Sequence, residues 1–79
     1  MREFEIRLRS VQNVRDFVEL AGSKPFTILV CDDFRRVNGK NFTEMFSLNF
    51  SNRLQVQSEG YDWEFEQFLQ ETKRFPVYD

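Results

Sequence analysis

The sequence predicts an α+β fold, a two-layer open-faced sandwich with the element order β-α-β-β-α-β-α, in which helices cover one face of a four-stranded antiparallel sheet. Three observations support this fold class. Short segments alternate apolar and polar residues, as half-buried strands do. Other segments repeat apolar residues every three or four positions, as amphipathic helices do, and all the connections are short. Since no repeat, linker or low-complexity stretch divides the chain, residues 1–79 are expected to form a single domain.

The first strand and the first helix follow one another near the start of the chain. Phe4, Ile6 and Leu8 alternate with charged residues, which predicts a strand with one solvent-facing side. Apolar residues then recur at helical spacing, which predicts a helix over about residues 14–21. Asn13 is a favourable N-cap for this helix, and the glycine that follows it would end it.

The middle of the chain predicts two more strands. Residues 26–31 are apolar on both faces, which is typical of an inner strand. Residues 34–37 carry two arginines, as an edge strand does. Residues 41–50 fit both a helical and an alternating pattern. A short helix followed by an extended segment would account for both patterns. The Asn38-Gly39 turn signal could instead join two hairpin strands.

The last strand and the last helix complete the predicted order. Residues 53–58 alternate and predict a strand. Residues 61–72 predict a long amphipathic helix that Pro76 ends. Tyr61 and Trp63 are expected to pack across the sheet, with surface anchors as the alternative.

Composition excludes several classes of function. Hydrophobic residues make up 41% of the 79 residues and charged residues 30%, a balance typical of a folded domain. The net charge is −2 without a basic stripe, which argues against nucleic-acid binding. No segment resembles a signal peptide or a membrane span, so the expected compartment is the cytoplasm. The chain lacks histidine and has one cysteine, so we expect a binding protein with no cofactor or metal rather than an enzyme.

Two stretches of the sequence match a known pattern of residues. Residues 11–17 read Val-Gln-Asn-Val-Arg-Asp-Phe, where that pattern has Gly-(Leu/Ile)-His-Ala-Arg-Pro-Ala after the first strand. Residues 38–51 align without a gap to a stretch like Asp-Ala-Lys-Ser-Ile-Met-Gly-Ile-Phe-Ser-Leu-Asp-Leu-Ser. The coinciding residues are Lys40, Phe46, Ser47, Leu48 and Ser51. The chain thus resembles the HPr family, the phosphocarriers of the bacterial sugar phosphotransferase system. The resemblance implies one HPr-like domain with the strand order 1-4-2-3.

The resemblance places three residues at the family's phosphorylation sites. Asn13 falls on the phosphorylated histidine, Arg15 on the active-site arginine, and Asn41 on the serine that HPr kinase phosphorylates. A carboxamide is not among the side chains that form covalent intermediates, so both sites would be lost. Anion binding at the helix start could remain. Asn13 is more simply an N-cap, however, and Arg15 a solvent-exposed helix charge.

Phe42, Thr43 and Phe46 fall on the apolar patch that HPr presents to its partners, although the two phenylalanines could instead fill the core. The resemblance therefore implies a non-phosphorylatable binding or regulatory protein. Its partners would be proteins that recognise HPr, such as enzyme I, sugar permease domains or a catabolite-control regulator. Two alternatives stay open: a phosphocarrier that uses a hydroxyl of Ser10, Thr43 or Ser47, and a structural or oligomerisation module unrelated to the phosphotransferase system.

Overall fold

A computed structural model describes residues 2–74 of the chain, with the side chains of residues 2–73. Its strands and helices follow the predicted order. They are β1 (Arg2–Ile6), α1 (Val11–Gly22), β2 (Ile28–Cys31), β3 (Arg36–Asn38), α2 (Phe42–Met45), β4 (Leu54–Ser58) and α3 (Asp62–Glu71), with a 3₁₀ turn (Thr72–Arg74) after α3.

The four strands form one antiparallel sheet in the order β1-β4-β2-β3, which confirms the predicted strand order and fold class. As predicted, β2 lies inside the sheet and β3 at its edge. Alternate side chains of a strand point to the same face, so one face presents a continuous apolar row to the helices. That row consists of Phe4, Val56, Val30 and Val37.

A cluster of aromatic rings fills the core between the helices and the sheet. Phe68 of α3 is completely buried. Its ring centroid lies 5.7 Å from that of Phe4, 6.1 Å from that of Phe17 and 6.1 Å from that of Phe26. Phe68 therefore joins α3 to β1, to α1 and to the segment before β2. No helix within residues 2–74 has both the length and the apolar composition needed to cross a bilayer.

Helix α1 begins three residues earlier than predicted, and Asn13 is not its N-cap. Ser10 takes that position: its backbone is extended, and its side-chain oxygen accepts the N–H of Asn13. Asn13 lies inside the first turn and accepts the N–H of Arg9. The apolar face starts only at Val14, so hydrophobic spacing does not reveal the polar turn that precedes it.

The end of α1 also differs from its prediction. Gly22 is the last helical residue rather than a left-handed terminator, and Ser23 is the C-cap with a φ of −80°. The Ser23 hydroxyl donates to the Leu20 carbonyl at 2.6 Å. The Leu20 carbonyl also accepts the Ser23 backbone N–H at 3.1 Å, so both donors of Ser23 satisfy a carbonyl at the end of α1 without a left-handed residue.

The ambiguous segment 41–50 is a short helix followed by turns. The helical part of the prediction is confirmed by α2, whereas the extended part and the alternative hairpin are wrong. The N–H of Leu48 donates to the Met45 carbonyl at 3.2 Å, so the chain keeps turning after α2. Apolar alternation in this segment therefore arises from turns and not from a strand.

Strands β2 and β3 are shorter than predicted, which leaves residues 32–35 as the turn between them. Phe34, predicted to lie in the edge strand, is 85% exposed in this turn. Asp32 accepts the N–H groups of Phe34 and Arg35, which holds the turn and keeps both residues out of the ladder.

Tyr61 and Trp63 do not pack across the sheet as expected. They are 74% and 65% exposed. Phe65 and Phe68 occupy the buried face of α3, and a residue two positions before Phe65 points away from that face. Pro76, predicted to end the last helix, lies outside the described residues.

Candidate functional site

The start of α1 carries two of the predicted site residues, Asn13 and Arg15. The carboxamide oxygen of Asn13 accepts the N–H of Arg9 at 3.1 Å, and the Asn13 N–H donates to the Ser10 hydroxyl oxygen at 3.1 Å. The Asn13 N–H is one of the N–H groups that a helix start otherwise leaves without partners, and the bond from Arg9 ties the residue before the N-cap to the first turn. Asn13 therefore has a structural role in the first turn.

Arg15 of α1 lies against Phe42 of α2. The guanidinium carbon of Arg15 is 5.4 Å from the centroid of the Phe42 ring, which is within the range of a cation–π interaction. The fold thus brings the predicted arginine next to the predicted partner surface, although Arg15 and Phe42 are 27 positions apart in the sequence.

Asn41 is the N-cap of α2. Its side-chain oxygen accepts the N–H of Glu44 at 3.0 Å, and a Glu44 carboxylate oxygen accepts the N–H of Asn38 at 3.1 Å. The carboxamide of Asn41 therefore holds the start of α2 in place.

An apolar cleft of about 210 Å³ lies between the start of α1 and the segment after α2. The Phe46 ring stacks on that of Phe42, with centroids 4.7 Å apart, and meets the edge of the Phe50 ring at 6.2 Å. We call the exposed or half-buried apolar residues here the α1–α2 surface. It consists of Val11, Phe42, Phe46 and Phe50.

Exposure separates the core from the α1–α2 surface. Met45 is completely buried and fills the core beneath α2, whereas Phe46 is 43% exposed and Val11 is 58% exposed. Phe42 is half-buried and Thr43 is exposed. Phe42 and Phe46 therefore stack on an accessible surface, and neither ring is fully buried in the core.

The turn between β2 and β3 fixes the segment that carries Phe46 and Phe50. One Asp32 carboxylate oxygen accepts two N–H groups of its own turn, at 2.8 and 2.7 Å, and the other accepts the N–H of Asn49 at 2.8 Å. The bond from Asn49 is the largest cause that holds the pKa of the Asp32 carboxyl below its usual range. The sequence pattern does not predict this connection. An aspartate before a turn is a local signal, but the bond to Asn49 spans 17 positions.

Arginines surround the α1–α2 surface. Residues 7–15 contain three arginines and no carboxylate. Arg9 lines the cleft, and the Arg35 guanidinium donates to the Ser47 carbonyl at 2.9 Å. The carboxylates of Asp32 and Glu44 lie in the same turn and helix and accept backbone N–H groups there, so the edge of this surface carries charges of both signs.

The chain matches a solved structure over most of its length. The crystal structure of HPr-C-His from Thermoanaerobacter tengcongensis superposes with a TM-score of 0.74 and 26% sequence identity, over 90% of this chain and 89% of that chain. The chain has an HPr-like fold. No protein-family model matches the sequence, and no curated protein sequence matches it.

The HPr-like fold gives the start of α1 a particular importance. The resemblance implies a histidine at the helix start, and the residue at the helix start here is Ser10, three positions before Asn13. The assignment of Asn13 to the histidine position stays a prediction, and Ser10 is a second candidate for it. Neither side chain is an imidazole, and the sequence contains no histidine.

Cys31 follows the core residue Val30 in β2, so its side chain points to the sheet face opposite the helices. Burial raises the pKa of the Cys31 thiol, which disfavours a reactive thiolate. Within the described residues, histidine, cysteine and acidic side chains do not form a group of three or more that could hold a metal ion.

Proposed function

We propose that this chain is an HPr-like binding or regulatory protein that carries no phosphoryl group. In this proposal it docks through the α1–α2 surface onto proteins that recognise HPr. The observation that carries the proposal is the accessible apolar cleft beside the start of α1, at the place where the resembled family keeps its histidine. Exposed apolar patches of this kind mark protein interfaces.

Three features support the absence of a phosphorelay. The sequence contains no histidine. The carboxamides of Asn13 and Asn41 accept backbone N–H groups at the starts of α1 and α2. The Ser10 hydroxyl oxygen, which is the alternative acceptor nearest the helix start, accepts the Asn13 N–H. These groups serve helix capping, which accounts for their presence without phosphotransfer.

Competition with an HPr protein tests this function directly. In a mixture of labelled phosphoenolpyruvate, enzyme I and HPr, we expect added wild-type chain to remain unlabelled and to slow the labelling of HPr. Phe46→Ala should weaken this inhibition about tenfold or more, because interface aromatics commonly contribute above 1 kcal/mol. Trp63→Ala is the matched control, since Trp63 is also an exposed aromatic residue but lies at the start of α3, at the other end of the sheet. Stoichiometric labelling of the wild-type chain, or no inhibition by it, would contradict the proposal.

Two histidine variants distinguish the alternative alignments. We expect Ser10→His to accept label from enzyme I, because it places an imidazole at the exposed N-cap of α1. Asn13→His should remain unlabelled, because that side chain lies inside the first turn and contacts the Arg9 backbone. Labelling of Asn13→His alone would restore the original assignment.

A further inference from the structure

Tyr61 and Trp63 form an exposed aromatic pair far from the α1–α2 surface. Ile6 pairs with Leu54 at one end of the β1–β4 ladder, and Arg2 pairs with Ser58 at the other. Since β1 leads into α1 and β4 leads into α3, the starts of these two helices lie at opposite ends of the sheet. The aromatic pair therefore belongs to a separate surface.

Hydrogen bonds hold the backbone segment that carries this aromatic pair. Gly60 has a φ of +110°, a conformation that L side chains rarely adopt. This turn lets the Glu64 carboxylate accept the Tyr61 N–H at 2.8 Å, which caps α3. The Glu59 N–H donates to the Thr27 carbonyl at 3.0 Å and ties the turn to the segment before β2. Trp63 thus projects from the first turn of an ordered helix.

A second cleft of about 210 Å³ lies beside Trp63. Its lining includes Pro25, Phe26, Trp63, Glu64 and Gln67, so it has an apolar wall and a carboxylate. Lys24 also lines the cleft, but its ammonium group is paired with Glu71. The cleft is therefore aromatic and does not present an uncompensated positive charge from Lys24.

Negative charge is in excess around this cleft. The segment from residue 59 to residue 71 contains five carboxylates and no lysine or arginine. Arg2 pairs with Asp62 at 2.9 Å and with Glu66 at 3.6 Å. Among the described residues, no ion pair involves Glu59 or Glu64. Glu64 lines the cleft and keeps its negative charge while one of its oxygens accepts the Tyr61 N–H, and Glu59 is bonded through its backbone to Thr27, next to the cleft residue Phe26.

We propose that the cleft beside Trp63 is a docking site for a basic segment of a partner protein, with an arginine or lysine seated against the Trp63 ring. Cation–π attraction to the indole and the surplus carboxylates both favour a cationic side chain. Trp and Tyr are also the residues most enriched among interface hot spots.

A second copy of this chain fits the cleft less well than a separate basic segment. The arginines of the α1–α2 surface already have partners: Arg7 donates to the Ser51 carbonyl, Arg35 donates to the Ser47 carbonyl, and Arg15 lies on Phe42. Docking them into the acidic cleft would break these contacts.

Peptide titration tests the proposal with the intact chain. The probe is a short fluorescein-labelled peptide containing arginines, and the comparison probe has glutamate in place of each arginine. Trp63 is the only tryptophan in the sequence, so its emission reports occupancy directly. We expect the arginine peptide to bind and to change the Trp63 emission at physiological ionic strength, whereas the glutamate peptide should do neither.

Variants separate specific docking from simple charge attraction. Trp63→Leu, which keeps the net charge and much of the apolar area, should weaken the anisotropy-detected affinity about fivefold through the lost cation–π contact. Glu59→Gln should also weaken it, whereas Phe34→Ala, at the other exposed aromatic, should leave it unchanged. Trp63→Leu is expected to fold, since the site is 65% exposed, and circular dichroism checks this.

Two results would overturn the proposal. Equal affinity of the arginine peptide for wild-type chain and for Trp63→Leu would show that only nonspecific charge attraction is present. Concentration-dependent association of wild-type chain in sedimentation equilibrium, lost in Trp63→Leu, would assign the cleft to a second copy. Neither result depends on the competition experiment at the α1–α2 surface, so the two proposals fail independently.

Discussion

Asp32 connects two segments that are distant in sequence. Its carboxylate accepts N–H groups from the turn between β2 and β3 and from Asn49, after α2. Because Arg35 of the same turn donates to the Ser47 carbonyl, the turn holds the segment that carries Phe46 and Phe50 at two points. One carboxylate therefore helps to shape the surface that we propose binds partner proteins.

Asp32→Asn should lower the free energy of unfolding at neutral pH. The difference between variant and wild type should become smaller at acidic pH. The pKa of the folded-state carboxyl lies below its usual value near 4, so its stabilising contribution is present above that value. It is lost as the pH falls through the lower folded-state pKa. Thermal unfolding of wild type and variant from neutral pH to pH values below about 4 measures this, and the two melting curves should converge on acidification.

Asp33→Asn is the matched control for this prediction. Asp33 is the adjacent carboxylate, it is exposed, and within the described residues no hydrogen bond to its side chain is present. An equal destabilisation by both substitutions would show that charge in the turn, rather than the Asp32 hydrogen bonds, stabilises the fold.

Helices α1 and α3 start in different ways, and each start positions a surface. Helix α1 starts beside the apolar cleft with the Ser10 hydroxyl, which accepts the Asn13 N–H, and with the Asn13 carboxamide, which accepts the Arg9 N–H. Helix α3 starts with the Glu64 carboxylate, which accepts the N–H of Tyr61, the residue after Gly60. An added Cβ at Gly60 would lie 2.8 Å from a Glu64 carboxylate oxygen and 3.2 Å from the Phe26 ring.

Alanine at the two glycines Gly22 and Gly60 should change stability in opposite directions. Gly22→Ala should raise the free energy of unfolding by about 0.5 kcal/mol, because the position is helical and open space surrounds the added Cβ. Gly60→Ala should lower it by about 1–3 kcal/mol, because of the positive φ and the close contacts. Urea denaturation gives both values, and a stabilising Gly60→Ala would contradict this account of the α3 start.

At the scale of the whole molecule, the core and the two surfaces occupy different regions. The aromatic rings around Phe68 connect both long helices to the sheet. The α1–α2 surface, with its arginine rim, and the cleft beside Trp63, with its carboxylates, lie at opposite ends of that sheet. The central core therefore separates the two surfaces for which we propose different partners.

Phe68→Ala should cost about 3–5 kcal/mol of unfolding free energy, since the ring is completely buried and contacts three other phenylalanines. This loss is comparable with the whole free energy of unfolding of a small domain, so Phe68→Ala could fail to fold. Phe68→Leu is the milder variant and should show a smaller loss. Phe34→Ala should stay within about 0.5 kcal/mol of wild type, because Phe34 is 85% exposed. Chemical denaturation measures all three, and similar losses at Phe34 and Phe68 would contradict the assigned core.

The sequence alone determined the types of the elements and their order. The alternation of Phe4 and Ile6 and the helical spacing of Val14 and Phe17 depend on residues within one or two turns of one another, and the structure follows both patterns. The strand order came from the resemblance to HPr and is confirmed by the sheet. Helix ends were less predictable, because the polar turn that Ser10 caps precedes the apolar face.

Only the tertiary structure decided which side chains are accessible and which distant groups meet. Met45 and Phe46 are neighbours in an apolar stretch, yet one is buried and the other 43% exposed. Trp63 is exposed because Phe65 and Phe68 take the buried face of α3, and Arg15 reaches Phe42 because α1 and α2 pack together. Periodicity reports which residues share a face of one element, whereas exposure and long-range contacts depend on what the rest of the chain places against that face.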